Sequence, residues 1–161
     1  MSAPADAPLS FVVHALEETS AWGRRLGQAL GVGDVVGLVG PLGAGKTTLT
    51  QAIAAGAGVP ASRHVASPTF ALVNEHPGRI RLVHADLYRV RSVAELAELG
   101  LAEAFDRAAA VIEWIDRFPE AAPADHLRVT IALDPDGTRR FTVTPLGERS
   151  TRLLAAVRPR A

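Results

Sequence analysis

The sequence predicts an α/β fold with a mostly parallel central sheet, added antiparallel hairpins and helices on both faces. Segments with strand and helix patterns alternate along the chain, which is typical of this class. The continuous apolar run 35–39 predicts a strand covered on both faces, as in a parallel sheet. Turn residues at 76–78 and 134–137 separate neighbouring strand patterns, which predicts two hairpins.

Size and composition are those of one globular domain. The chain has 161 residues, with 48% hydrophobic and 21% charged residues, which argues against a disordered or fibrous protein. We expect one domain over residues 1–161, with 1–8 and about 148–161 peripheral. No apolar run approaches the roughly 20 residues that cross a bilayer, and no signal peptide is recognisable, so we expect a cytoplasmic protein without a membrane partner. The absence of cysteine excludes disulfides, thiolate metal sites and a cysteine nucleophile.

The charged residues balance to a formal net charge of zero, which excludes a global field that attracts nucleic acid or membranes. Six arginines and one acidic residue lie from Arg139 onward. A phosphate backbone is one partner for this segment, but a solvated terminal segment is the simpler prediction. Lys46 is the only lysine among 17 basic residues.

The first half of the chain contains the following elements in order. A strand is predicted over 9–14, and a helix over about 18–30, where apolar residues recur at helical spacing. The buried strand 35–39 follows. After a glycine-rich segment, a second helix runs from Lys46 to about residue 57, where Gly58 and Pro60 end it.

The second half adds strands and a capped helix. Ser92 and Glu95 have capping-box spacing and predict the start of a helix that ends at Gly100. Asp134-Pro-Asp-Gly137 predicts a hairpin turn. The predicted strands are 69–75, 79–86, 111–112, 127–133 and 140–144.

The segment Gly40–Thr47 matches the phosphate-loop pattern G-x-x-x-x-G-K-[ST] directly after the buried strand and before a helix. Its glycines allow backbone amides to converge on a phosphate, to which the helix start adds its dipole. Lys46 then supplies a charge to the β- and γ-phosphates, and Thr47 ligates Mg²⁺. Thr48 either reaches the α-phosphate or is an ordinary threonine at a helix start.

ATP is favoured over GTP, because the N-K-x-D loop that reads guanine requires a second lysine, which this chain lacks. We therefore predict ATP and Mg²⁺ as the cofactors. The expected nucleotide contacts in the loop are Gly40, Leu42, Gly43, Ala44, Gly45, Lys46, Thr47 and Thr48.

Two acidic residues follow predicted strands at the sheet edge where ligands bind in α/β folds. Glu113 ends a buried strand, and we predict that it takes part in the site, since phosphoryl transfer needs a carboxylate that holds Mg²⁺ and a group that orients the nucleophile. Asp86 either acts at the site or forms an ion pair with Arg89. His84 and Asp86 share a strand face, but no third ligand stands at metal spacing, so we expect His84 to be hydrogen-bonded. Trp114 either stacks on a ligand or belongs to the core.

Four blocks in this order resemble the bacterial TsaE (YjeE) family, a small ATPase of tRNA threonylcarbamoyladenosine biosynthesis. The resemblance covers nearly the whole chain. The blocks are Gly40-x-Leu-Gly-Ala-Gly-Lys-Thr-Thr48, Ser67-Pro-Thr-Phe70, His84-x-Asp-Leu-Tyr-Arg89 and Ile112-Glu-Trp114.

The resemblance implies a P-loop NTPase-like fold and an ATPase that acts on a complex of TsaB and TsaD, so that tRNA is a partner only indirectly. It implies that Lys46 binds phosphate, that Thr47 and Glu113 hold Mg²⁺, and that Asp86 acts near the γ-phosphate or its water, which makes Lys46, Asp86 and Glu113 the expected catalytic residues. It also implies nucleotide contacts near Leu16 to Thr19 and near Pro135 to Arg139.

Two other functions use the same loop. A small-molecule kinase transfers the phosphoryl group to an acceptor instead of water, although no arginine-rich lid is evident in the sequence. A nucleotide-sensing module binds without useful catalysis, but Thr47, Asp86 and Glu113 together offer more chemistry than binding alone needs.

Overall fold

The protein is described here from a computed structural model, which covers residues 4–66 and 72–158. The strands are β1 (Leu9–Val13), β2 (Val35–Val39), β3 (Val73–His76), β4 (Leu82–Asp86), β5 (Ala109–Glu113), β6 (Leu127–Leu133) and β7 (Arg139–Pro145). The helices are α1 (Leu16–Ala29), α2 (Lys46–Gly56), α3 (Val93–Glu98), α4 (Leu101–Ala104) and α5 (Glu148–Val157). Two single 3₁₀ turns, Ile115–Arg117 and Pro119–Ala121, follow β5.

One seven-stranded sheet has the order β1-β7-β6-β2-β5-β4-β3. The four central strands β6, β2, β5 and β4 are parallel to one another. Strand β3 pairs antiparallel with β4, and β7 pairs antiparallel with both β6 and β1. The predicted α/β class, the mostly parallel sheet and both predicted hairpins are therefore confirmed.

Helices cover both faces of the sheet, as predicted. Helices α1, α2 and α5 pack on one face, with Val36 and Leu38 of β2. Helices α3 and α4 and both 3₁₀ turns pack on the other, with Val35. The alternation of β2 side chains between two buried faces explains why its sequence is apolar throughout.

Helix α2, which begins at the glycine-rich loop, is held close to α1. A Cβ on Gly27 would lie 2.0 Å from the Ile53 carbonyl oxygen, and one on Gly56 would lie 2.1 Å from the Arg24 carbonyl oxygen. Glycine at these positions lets the two helix backbones approach each other. The second half of α2 is therefore packed directly against α1.

The prediction of a solvated C-terminal segment is wrong for residues 148–157, which form α5. Leu153, Leu154 and Val157 are buried against the core. Trp22 Nε1 donates a hydrogen bond to the Val157 carbonyl oxygen at 3.1 Å. The arginines of this segment lie on the solvent side of an amphipathic helix, so its charge does not prevent docking.

The helix that starts after Ser92, α3, ends at Gly100 as predicted. The Ser92 hydroxyl accepts a hydrogen bond from the Glu95 amide at 3.1 Å, which confirms half of the capping box. The Glu95 carboxylate instead accepts from the Arg91 amide. Gly100, with φ +66°, follows the C-cap Leu99, and a further short helix, α4, which was not predicted, begins directly after it. The predicted strand 69–75 lies partly outside the described residues.

None of the helices in residues 4–66 and 72–158 combines the length and apolar character needed to span a bilayer.

Candidate phosphate-binding site

The loop between β2 and α2 has the backbone conformation that its glycines permit. Gly43 and Gly45 have φ values of +80° and +104°, which are strained for residues with a side chain. A Cβ on Gly40 would lie 2.8 Å from the Ile131 carbonyl oxygen of β6. The loop therefore lies against the sheet edge and leads directly into the first turn of α2, whose amides and dipole favour an anion.

Lys46 is the first residue of α2 and is only 5% exposed. Its Nζ donates to the carbonyl oxygens of Gly40 at 2.5 Å and Pro41 at 2.8 Å. The same Nζ lies 4.2 Å from the ring centroid of Trp114. Burial lowers the pKa of Lys46, and the charge of Glu113 acts in the opposite direction. The ammonium is thus held at the mouth of the loop by carbonyls, an aromatic face and an acidic neighbour.

Asp86 and Glu113 end the adjacent parallel strands β4 and β5 and are register partners. Glu113 is 2% exposed. Asp86 is half-buried, and its Oδ1 accepts a hydrogen bond from the Tyr88 amide at 2.9 Å. Burial raises the pKa of the Asp86 carboxyl, and the nearby charge of Glu113 contributes in the same direction. Parallel pairing thus brings two carboxyl groups to one sheet edge beside the loop.

Thr47 and Glu113 meet across the start of α2. Thr47 Oγ1 donates to Glu113 Oε1 at 3.3 Å. A hydroxyl and a carboxylate suit Mg²⁺, which takes few protein ligands and completes its shell with waters and phosphate oxygens. The described residues contain no group of three or more His, Cys, Asp or Glu side chains that could hold a metal ion. This donor set therefore fits a magnesium ion that arrives with a phosphate ligand.

His84 lies beneath this pair and is fully buried. Its Nε2 hydrogen-bonds to Glu113 Oε2 at 2.5 Å. The expectation that His84 is hydrogen-bonded is confirmed, and no third ligand joins His84 and Asp86 in the described part of the chain.

Trp114 closes one side of the site. Its φ of +61° is unusual for a bulky residue, and such strain is often found at functional sites. The indole lies 4.8 Å from the Tyr88 ring, between centroids, and is half-buried. Trp114 also packs against the core on the α3 face, so it belongs to both the core and the site wall.

These groups surround a cleft of about 470 Å³. The lining residues are Leu42, Gly43, Gly45, Lys46, Thr47, Thr48, Leu72, Asp86, Tyr88, Arg89, Glu113, Trp114 and Arg139. Most of the expected loop residues, both expected carboxylates and Arg139 are therefore brought together. Gly40 and Ala44 contribute backbone contacts, because their carbonyl oxygens accept hydrogen bonds from Lys46 Nζ and Arg139 Nε.

Besides Gly40 and Ala44, three expected nucleotide contacts outside the loop do not line the cleft. Leu16, at the start of α1, is 55% exposed, and Thr19 is buried. Pro135 is exposed in the turn between β6 and β7. All three remain predictions. The Ser67–Phe70 motif lies outside the described residues.

Tyr88 and Leu72 line the cleft and were not predicted from the sequence as cleft residues. Tyr88 lies inside the quoted block His84–Arg89, two positions after Asp86, so the block contained a signal for it. Leu72 has φ +60° and no comparable sequence signal.

Comparison with known proteins gives consistent results. The family profile described as "Threonylcarbamoyl adenosine biosynthesis protein TsaE" matches residues 13–141. The tRNA threonylcarbamoyladenosine biosynthesis protein TsaE of Treponema pallidum is 34% identical over 82% of this chain and 97% of the relative. The proteins of that name from Bacillus subtilis and Streptomyces coelicolor are 38% and 41% identical, over 83% and 79% of this chain and 83% and 90% of the relatives. The crystal structure of YdiB from Bacillus subtilis matches with a TM-score of 0.80 and 31% identity over 94% of both chains.

Proposed function

Given that the chain belongs to the TsaE family of tRNA threonylcarbamoyladenosine biosynthesis, we propose that it is an ATP-binding and ATP-hydrolysing subunit with a P-loop NTPase-like fold. The proposal rests on the observation that Lys46, Thr47 and Glu113 lie together beside the glycine-rich loop. Thr47 lies 3.3 Å from Glu113, measured between hydroxyl and carboxylate oxygens, and the Lys46 ammonium is held beside them.

Lys46 and the loop amides bind the phosphates in this proposal. The ammonium has three N–H donors, two of which are directed at the Gly40 and Pro41 carbonyls. A phosphate oxygen replaces one of these neutral acceptors with a charged one. Hydrogen bonds that involve a charged partner are worth about 1.5–3 kcal/mol each, so Lys46 contributes a large share of the affinity.

Thr47 and Glu113 hold the magnesium ion that accompanies the nucleotide. When bound, that ion neutralises charge that develops on the transferred phosphoryl group. Asp86 orients the attacking water and accepts its proton. Its raised pKa supports this role, because a carboxylate with a raised pKa is a better proton acceptor. An ion pair with Arg89 remains the alternative role for Asp86.

Within the family role, the proposed output of hydrolysis is a conformational change in a complex of TsaB and TsaD. The proposed contact with tRNA is indirect and passes through that complex, in the cytoplasm where tRNA is modified. We expect slow hydrolysis by the chain alone, because the proposed output of hydrolysis requires the partner complex. Exposed Leu42 and Tyr88 at the rim of the cleft support a protein partner at this position.

The test is phosphate release from MgATP by the chain alone and with TsaB and TsaD added. Turnover is expected to rise in the presence of both partners and to fall in the Glu113→Gln variant, which keeps the size of the side chain. Unchanged turnover with both partners present would contradict the proposal. Phosphate from γ-labelled ATP that is recovered on a small acceptor would instead indicate a kinase.

A second variant distinguishes the ATPase from a nucleotide-sensing module. If Glu113→Ala keeps both ATP binding and the function of the complex, hydrolysis is unnecessary and the sensing function is correct. We expect the variant to lose the function of the complex.

A further inference from the structure

We propose that His84 is a positioning residue that holds the Glu113 carboxylate with one oxygen turned toward Thr47, ready for the magnesium ion of a bound nucleotide. This inference rests on the proposed function and goes beyond it, because it assigns a role to a buried residue that touches neither phosphate nor metal.

The sheet register places the two side chains together. His84 of β4 pairs with Val111 of β5, so Glu113 is its diagonal neighbour two residues further on. Residues two apart on a strand share one face, and diagonal neighbours are within reach of a long side chain. Leu82 and Val111 pack with α1 and α2, so His84 and Glu113 point to the face on which α2 begins.

Each oxygen of Glu113 has its own partner. Oε2 lies 2.5 Å from His84 Nε2, and Oε1 lies 3.3 Å from Thr47 Oγ1. The histidine contact therefore fixes the carboxylate rotation that leaves the other oxygen toward the α2 start. Without that contact, only the 3.3 Å hydrogen bond from Thr47 restrains the carboxylate, whose end-group torsion is soft.

The surroundings of the other ring nitrogen, Nδ1, indicate which nitrogen of His84 carries the proton. His84 Nδ1 is buried and has no hydrogen-bond partner among the described residues. A proton on Nδ1 would thus be a buried donor without an acceptor, which costs about 1–3 kcal/mol. The favoured neutral form carries its proton on Nε2 and donates it to Glu113.

The surroundings argue against a role in core packing alone. His84 is fully buried on the same sheet face as Leu82 and Val111, which are buried too, so a leucine would fill the same region without an unpaired nitrogen. The histidine is thus a locally unfavourable choice that is explained by its contact with Glu113. Partners that orient a metal ligand in this way typically change metal affinity by 10- to 100-fold when removed.

The test uses two variants with the same amide group and different reach. His84→Gln places an N–H donor near the position of Nε2, whereas the shorter His84→Asn side chain places its amide near Nδ1 and does not reach Glu113. The affinity of a fluorescent ATP analogue is measured for each variant at increasing Mg²⁺ and, separately, with EDTA. Thermal unfolding of each variant is recorded in parallel.

His84→Asn is expected to need about tenfold more Mg²⁺ for half-maximal binding, with its affinity in EDTA unchanged. His84→Gln is expected to retain most of the wild-type Mg²⁺ response even if both variants lose equal thermal stability. A purely structural role would make the two variants alike and would lower affinity equally with and without Mg²⁺.

The outcomes separate this inference from the proposed function. A wild-type Mg²⁺ response in His84→Asn overturns the positioning role and leaves the proposed function intact. Failure of the wild-type protein to bind the analogue under either condition overturns the proposed function and the positioning role with it. If His84→Asn does not fold, an altered Mg²⁺ response in a folded His84→Gln protein still contradicts the role.

Discussion

Two regions of the sheet are built on opposite principles. An aromatic cluster of Phe11, Trp22 and Phe141 joins β1, α1 and β7, with ring centroids 5.2–5.9 Å apart. Phe141 is fully buried, and the cluster continues into the apolar residues of α5. This region contributes stability through area removed from water and through aromatic edge contacts.

The site edge, formed by the ends of β2, β4 and β5, buries ionisable groups instead. Lys46, His84 and Glu113 are each at most 5% exposed. Such groups are costly to remove from water unless each finds a partner. Their burial does not contribute the favourable free energy that the burial of apolar side chains contributes. The ionisable groups at the site edge thus serve chemistry and lower the stability of the fold, whereas the aromatic cluster raises it.

This difference means that stability and ligand binding should respond separately to substitution. Changes in the aromatic cluster are expected to alter unfolding, and changes at the site edge are expected to alter nucleotide binding. The four substitutions below test that separation.

Phe141→Ala is expected to have the largest effect, a loss of about 3–5 kcal/mol in the free energy of unfolding, because it opens a cavity beside the rings of Phe11 and Trp22. Urea denaturation followed by circular dichroism measures it. Phe141→Leu keeps most of the volume and is the matched control, with a smaller loss. A loss below about 1 kcal/mol for Phe141→Ala would show that the cluster does not carry the fold.

Lys46→Met is expected to weaken MgATP binding by about 10- to 100-fold, which corresponds to the loss of about one charged hydrogen bond. The free energy of unfolding should stay the same or rise, since burial already lowers the pKa of Lys46 and so disfavours its charged form. Equilibrium binding and thermal unfolding of the same preparation give both values. Unchanged affinity would contradict the role of the ammonium.

Trp22→Phe removes the indole donor and leaves the Val157 carbonyl buried without that partner. We expect a loss of about 1–3 kcal/mol in unfolding free energy. We expect the rate of amide hydrogen exchange to increase most in α5, which this bond connects to α1. MgATP affinity serves as the internal control and should not change. Uniform acceleration of exchange would show that α5 does not depend on this bond.

Asp86→Asn is expected to have the smallest effect on stability, a gain of at most about 1 kcal/mol at neutral pH. Burial raises the pKa of Asp86, so its ionised form is unfavourable in the folded state. The stability that Asp86 contributes is present below its ordinary value of 3.8 and is lost as the pH rises through the raised value. The advantage of the variant should therefore shrink as the pH falls.

Thermal unfolding of the wild type and of Asp86→Asn measures this dependence. It is recorded from pH 4 to pH 8 in steps of about one pH unit. An advantage that is the same at every pH would show that the charge of Asp86 is not its cause.

Much of the site edge was predictable because local sequence determines it. The phosphate loop, Lys46 and Thr47 follow from one contiguous pattern between a strand and a helix. Glu113 and Asp86 follow from their places at strand ends, since parallel strands end at a common edge.

Contacts that depend on sheet register or on distant packing were not predictable. The bond between His84 and Glu113 requires β4 and β5 to pair in one register, which neither strand specifies alone. Helix α5 carries Leu153, Leu154 and Val157 at helical spacing, but the six nearby arginines favoured the prediction of a solvated segment. Its docking involves distant residues such as Trp22, which is 135 residues away in the chain from its partner Val157.

The most direct test of a nucleotide-phosphate site at this edge is calorimetric titration of the wild-type protein with ATP, once with Mg²⁺ and once with EDTA. Saturable binding to one site, tighter with Mg²⁺ than without it, is the expected result. No measurable heat of binding under either condition, in protein shown to be folded and with TsaB and TsaD either absent or present, would contradict it.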